Sequence, residues 1–275
     1  MKESSNKLKV FVYSTLGLTL LCVALFTISM FVSFDADIGY FARTPLTGIQ
    51  STLMIVSVIF FACIAFLIPK GSLPCEDVKG NRLTQFSSLL CGLVFIGITV
   101  LNFLSTYNSA AGLSDSQKNV FLIISVSGLL SSIYFIYDAL ASDKKAIAIQ
   151  VISSIFIFIN LLCTVISEHV DLFVPINAPR KNLLFLGCIA TAMFIVQELK
   201  FKSGIHQPRA YVFFGSAATL LFSVLSIPSL IAHYAGAFKD NSFLVYYIIG
   251  LSLAIYAATR IVSYSKYASN KANED

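Results

Sequence analysis

Tryptophan is missing from this chain of 275 residues, histidine occurs three times, and charged residues make up only 12%. That charge content is about half the roughly 25% of a soluble domain, which rules out an ordinary water-soluble globule. The motifs that carry chemistry are missing too. There is no HExxH, no GxSxG, no Walker-type glycine loop and no GxGxxG, which removes the common frameworks for zinc hydrolysis, nucleophile-elbow chemistry and nucleotide binding. The six cysteines include no CxxC pair. Cys22, Cys63, Cys91, Cys163 and Cys188 lie within apolar runs and Cys75 in an inner loop, so neither a disulfide framework nor a metal cluster is expected. His169, His206 and His233 are expected on the outside, inside and outside of a membrane, too far apart to share one metal ion. We therefore expect no enzymatic activity, no cofactor and no metal.

What the chain has in abundance is hydrophobicity, at 57% of residues. It comes in eight runs, at 8–34, 48–67, 86–106, 120–140, 146–167, 182–199, 210–231 and 243–262. A helix crossing a bilayer needs about 20 predominantly apolar residues, and these runs are continuous rather than the alternating segments of about ten residues that build membrane barrels. The expected fold is all-α: a polytopic integral membrane protein of about eight transmembrane helices, surrounded by lipid and with no soluble domain. The sixth run is the shortest. The first is too long for the apolar core of a signal peptide, about 7–15 residues, and ends in no small-x-small cleavage site, so we expect a retained helix.

Basic residues set the expected orientation. With a cytoplasmic N-terminus, fourteen Lys and Arg residues fall in inner segments and five (Arg43, Lys118, Arg180, Lys181 and Lys239) in outer ones. That bias obeys the positive-inside rule and puts both termini in the cytoplasm. It also accounts for the net charge of +5 without nucleic acid. The compact loops and the lack of any N-x-S/T site fit a bacterial plasma membrane. Tyrosines take the place of tryptophan as expected interface anchors: Tyr40, Tyr107, Tyr234, Tyr246 and Tyr247 near outer ends, and Tyr13, Tyr134, Tyr137, Tyr211, Tyr264 and Tyr267 near inner ends.

A duplication is also expected. Shifting by 136 residues places Asp35 on Asp171 and Ala42 on Ala178, and a shift of 124 brings the third and fourth runs onto the seventh and eighth. The pattern suggests two parallel four-helix repeats, 1–140 and 141–275, an organisation that occurs in transporters. The two long outer loops supply candidate outer-mouth residues: Asp35, Asp37, Glu168 and Asp171 for a cation, Arg43 and Arg180 for an anion. Phe34, Ile38, Tyr40, Phe41, Leu172 and Phe173 are apolar enough to fold those loops back onto the helix ends.

Intramembrane charge is costly and is a functional signal by default. Asp138, Glu198 and Arg260 lie near the inner ends of runs four, six and eight, at one depth, and form a candidate inner gate in which Arg260 neutralises Glu198 or Asp138. Deeper groups are neutral: Asn102, Gln150 and Asn160, suited to interhelical hydrogen bonds. Gly250, Ala254 and Ala258 form a small-residue face, a seam for close packing or for a membrane partner or second copy, and Ser88 with Gly92 and Gly128 with Ser132 form similar ones. Pro228 is expected to kink the seventh run. Two functions fit: a transporter or permease of a small apolar or weakly charged solute, or a non-transporting accessory, sensor or immunity-type subunit acting through helix faces and outer loops.

Overall fold

The computed structural model describes residues 2–35, 40–68, 81–108, 115–140, 147–170, 178–205, 207–237 and 244–274. Its helices are α1 (Lys2–Val32), α2 (Pro45–Leu67), α3 (Arg82–Asn108), α4 (Asp115–Leu140), α5 (Ile147–Val170), α6 (Pro179–Lys202), α7 (Pro208–Tyr234) and α8 (Leu244–Glu274). Each contains an apolar stretch of 23 to 28 residues, long enough to cross a bilayer. In lipid the backbone must satisfy its own hydrogen bonds, which a continuous helix does. The protein is a polytopic helical membrane protein. The only extended structure among the described residues is a two-residue antiparallel ladder, β1 (Phe34–Asp35) with β2 (Tyr40–Phe41).

The helix ends follow local chemistry. Three helices start on proline at the first turn, Pro45, Pro179 and Pro208, where the missing N–H costs no hydrogen bond. Thr44 caps α2 in a reciprocal arrangement with Thr47. Two glycines with positive φ end helices, Gly204 (81°) after α6 and Gly236 (75°) after α7. Behind them Ile205 N–H reaches Lys200 O at 2.8 Å and Ala237 N–H reaches Ala232 O at 3.0 Å, the six-to-one bond of a Schellman closure.

Two expectations about length change. The sixth span is an ordinary 24-residue helix, because Pro179, Arg180, Lys181 and Lys200 to Lys202 continue it beyond its apolar centre. The eighth does not stop near 262: the polar tail stays helical to Glu274, with Tyr264, Ala268 and Ser269 buried. Hydropathy marks where lipid would lie, not where a helix stops.

The helices group into two compact units, residues 1–78 with 174–275, and residues 79–173. The first contains α1, α2, α6, α7 and α8, and α7 is its hub, packing against the other four. Accordingly 78% of the apolar window of α7 is buried, against 22% for peripheral α2. The second unit is α3, α4 and α5, with α4 between its neighbours. These units do not coincide with the halves 1–140 and 141–275. Packing and descent from a repeat are separate questions, and the helix pairs matched by the 124-residue shift, α3–α4 and α7–α8, are each closely packed hairpins.

Small residues make those approaches possible. A methyl group on Gly92 would sit 2.9 Å from Ile136, and one on Gly128 2.6 Å from Thr99. On α8, a methyl on Gly250 would meet Ser226 Oγ at 2.6 Å. Gly250 and its neighbour along the stripe, Ala254, are thus buried inside their own unit. Several tyrosines expected at interfaces are core residues as well. Tyr134, Tyr211, Tyr247 and Tyr264 are buried, whereas Tyr13 and Tyr234 are exposed as anchors should be.

Candidate functional site

The inner-gate residues take their surroundings from two different units. In the first, Glu198 on α6 faces Tyr256 and Arg260 on α8. The Tyr256 hydroxyl donates to Glu198 Oε2 at 2.5 Å, and Arg260 Nε lies 3.2 Å from Oε1. Lys202, one turn along α6, adds a longer ion pair at 4.0 Å. The pattern is two i,i+4 pairs on facing helices, Glu198 with Lys202 and Tyr256 with Arg260, so a single helix face on each side completes the cluster. The Arg260 guanidinium also lies 5.3 Å from the centre of the Tyr256 ring, within cation–π reach. Glu198 and Arg260 are only 3% and 6% exposed. Both charged ends lie within the helix packing instead of reaching out along it toward headgroups.

Aromatic rings wall off this cluster. Tyr211 and Phe201 lie 4.8 Å apart, Tyr211 and Tyr264 5.5 Å, and Phe194 stands 6.3 Å from Tyr256. Gly215 on α7 makes room for them, since a methyl there would approach Ile261 to 2.5 Å and Phe194 to 2.9 Å. Shared depth in the sequence left Glu198 and Asp138 as alternative partners of Arg260, and the structure pairs it with Glu198. Tyr256 and Lys202 were missed, although each stands one helical turn from a charged residue.

Asp138 belongs to the second unit and is held there. It accepts from Ser88 Oγ at 2.6 Å and from Gln150 Nε2 at 3.4 Å, tying α3, α4 and α5 together at one end. Further along, Asn160 donates to Ile124 O at 2.9 Å and to Ser127 Oγ at 3.2 Å. Gln150 and Asn160 thus make the interhelical bonds expected of them.

Of the outer-mouth candidates, Asp37 and Asp171 lie outside the described residues. Asp35 pairs with Tyr40 across the short ladder, and both it and Arg43 are exposed. Glu168 is buried near the end of α5, and Arg180 is half-buried in the first turn of α6. At the described ends of the first long loop, Phe41 meets Phe34 at 5.1 Å and Phe26 of α1 at 6.2 Å, while Ile38, Leu172 and Phe173 lie outside the described residues. Beneath this aromatic cap a crevice of about 30 Å³ is lined by Phe26, Phe41, Arg180, Val224, Pro228 and Tyr247, among others. A larger groove of about 330 Å³ shares Phe26, Phe41, Pro179 and Leu183 with it and adds Gln50 of α2.

Gln50 is a third residue that sequence reasoning passed over. It is 3% exposed, and its Oε1 has no hydrogen-bond partner in the protein. The same is true of Thr19 and Ser29 on α1, Thr191 on α6 and Ser226 on α7, whose hydroxyls are buried without partners. Neighbours such as Ser57, Thr219 and Ser229 satisfy theirs on the carbonyl one turn back. No protein-family model, no curated protein and no solved structure matches this chain.

Proposed function

We propose that this protein is a small transporter or permease of an apolar or weakly charged solute, and that the solute path lies within the unit of α1, α2, α6, α7 and α8. The observation that carries this is the set of buried, unpartnered hydroxyls of Thr19, Ser29, Thr191 and Ser226. Water is scarce in a bilayer, so a polar group without a protein partner is expensive. Groups kept in that condition are met by water or by a passing solute, and a water needs two to four such partners. The Glu198–Arg260–Tyr256 cluster then closes the path at its cytoplasmic end, a plug whose buried ion pair a strongly charged solute would disrupt. Both termini are assigned to the cytoplasm of a plasma membrane, on the distribution of Lys and Arg. The apparent parallel duplication agrees with a transporter lineage.

A second reading, a non-transporting membrane subunit, is favoured by the dense packing around α7. Thiol accessibility separates the two. Single cysteines replace Thr19, Ser29, Thr191 or Ser226 on a cysteine-free background in sealed vesicles, with Arg43 as an exposed control and Ile59 as a lipid-facing one. Transport requires an impermeant thiol reagent to label interior positions as it labels position 43. If all four interior cysteines stay as protected as position 59, the unit is a dry bundle and the subunit reading replaces transport.

A further inference from the structure

Beside the first turns of α2 lies the groove of about 330 Å³ that contains Gln50. We infer that it binds a neutral membrane lipid with a free hydroxyl next to its acyl chains, of the diacylglycerol kind, and that Gln50 accepts the hydrogen bond from that hydroxyl. The inference goes beyond transport, since binding here stands whether or not any solute crosses the membrane.

Four observations converge. Gln50 is 3% exposed and its carboxamide oxygen has no protein donor; a group so placed is costly until something donates to it. The other polar side chains of the groove are already occupied: Thr47 Oγ1 donates to Ala42 O and Thr44 O, and Ser51 Oγ to Thr47 O. No described residue lining the groove carries a charge, so an ionic headgroup would meet no counter-charge among them, whereas a hydroxyl finds one acceptor and an acyl chain finds Phe26, Met54 and Leu183. Finally, Ile49 and Ile55, next in sequence to the groove residues Gly48, Gln50 and Met54, are exposed by 59% and 57%. Large exposed aliphatic side chains on a membrane helix face lipid, so the ligand arrives sideways from the bilayer rather than from water. Gln50 is five residues beyond Pro45, about 7–8 Å along the helix. If the span enters the bilayer at Pro45, that depth is just below the headgroups, where a glycerol hydroxyl lies.

The test uses the full chain in phosphatidylcholine nanodiscs carrying a few mole per cent of a photoactivatable diacylglycerol, with adducts mapped by mass spectrometry. Adducts are expected on residues 47–54 and near Leu183, and unlabelled diacylglycerol should compete them away. An acetylated probe, identical but for its missing hydroxyl, should label about tenfold less, equivalent to about 1.4 kcal/mol. Gln50→Leu should lower the hydroxyl probe to that same level while leaving helix content and monodispersity unchanged. Gln50→Met serves as a second variant of similar volume should the first fail to fold. Equal labelling by the two probes, or undiminished labelling of both variants, would reduce the site to a greasy crevice and overturn the inference. Competition by a short water-soluble diol at equal mole fraction would overturn the lipid source. Thiol labelling at Thr19 or Ser226 is unaffected by any of these results, so this inference and the transport reading fail separately.

Discussion

Removing Arg260 should destabilise the first unit far more than removing Arg260 and Glu198 together. At 3.2 Å two unit charges attract by about 5 kcal/mol at an effective dielectric constant of about 20. Burial has already cost each ion several kcal/mol of hydration, so the net worth of the pair is small. Breaking it is a different matter. Arg260→Met leaves the carboxyl of Glu198, 3% exposed, without its guanidinium partner and beside the Tyr256 hydroxyl and Lys202 at 4.0 Å; the expected loss is about 3–5 kcal/mol. Glu198→Leu strands Arg260 in the same way. The double variant Glu198→Leu with Arg260→Met strands neither, and should fall well short of the sum of the two, within about 1–2 kcal/mol of the parent protein. Tyr256→Phe removes one hydrogen bond to a charged acceptor, a loss of about 1.5–3 kcal/mol. The assay is unfolding in mixed micelles with increasing dodecyl sulfate, followed by helical circular dichroism. Because the chain has no tryptophan, one introduced at an exposed position gives a second probe with no background. Single losses below about 1 kcal/mol that simply add in the double variant would refute the reasoning, because they would mean that water, not protein, solvates these charges.

Two other substitutions test the packing. Gly215→Ala forces a methyl to 2.5 Å from Ile261, a fully buried residue, and should cost about 1–3 kcal/mol, whereas Gly97→Ala, with nothing within 4 Å, should be neutral or stabilise α3 by up to about 1 kcal/mol; similar effects at both positions would contradict the packing around α7. Asn160→Leu removes the two hydrogen bonds it donates to α4 and should cost only about 1 kcal/mol, read from the same unfolding midpoint.

The eight spans were legible because bilayer thickness writes itself into sequence as runs of about 20 apolar residues. Glu198 and Asp138 were legible as alternative partners of Arg260 for a related reason: charges near the ends of helices running in the same direction share a depth. Rotation about the helix axis was not legible. Whether Tyr211 faces lipid or core depends on which side of α7 meets α6 and α8, and a helix that is apolar all round carries little record of that. The same uncertainty hid Gln50. It is the only carboxamide in its apolar run, and it shares a helical face with Ser57, Phe61 and Ala65, all of them buried. That spacing was available in the sequence, but the groove beside it depends on Phe26 and Leu183 from distant helices. The short ladder joining Phe34 to Phe41 is likewise a product of the turn rather than of any strand pattern, since its two strands have two residues each.

Buried polar groups of the first unit carry the proposed function. In the second, Asp138 and Asn160 both bond to neighbouring helices within the unit, which is how a membrane bundle uses polar residues as glue. In the first, Gln50, Thr19, Ser29, Thr191 and Ser226 are buried with hydrogen-bonding atoms unmet by protein. Apolar substitutes would serve packing equally well at those positions and would carry no desolvation cost. A unit built only to hold itself together has no use for them. On the proposed transport reading their partner arrives from elsewhere, and all five belong to α1, α2, α6 and α7 of a single unit.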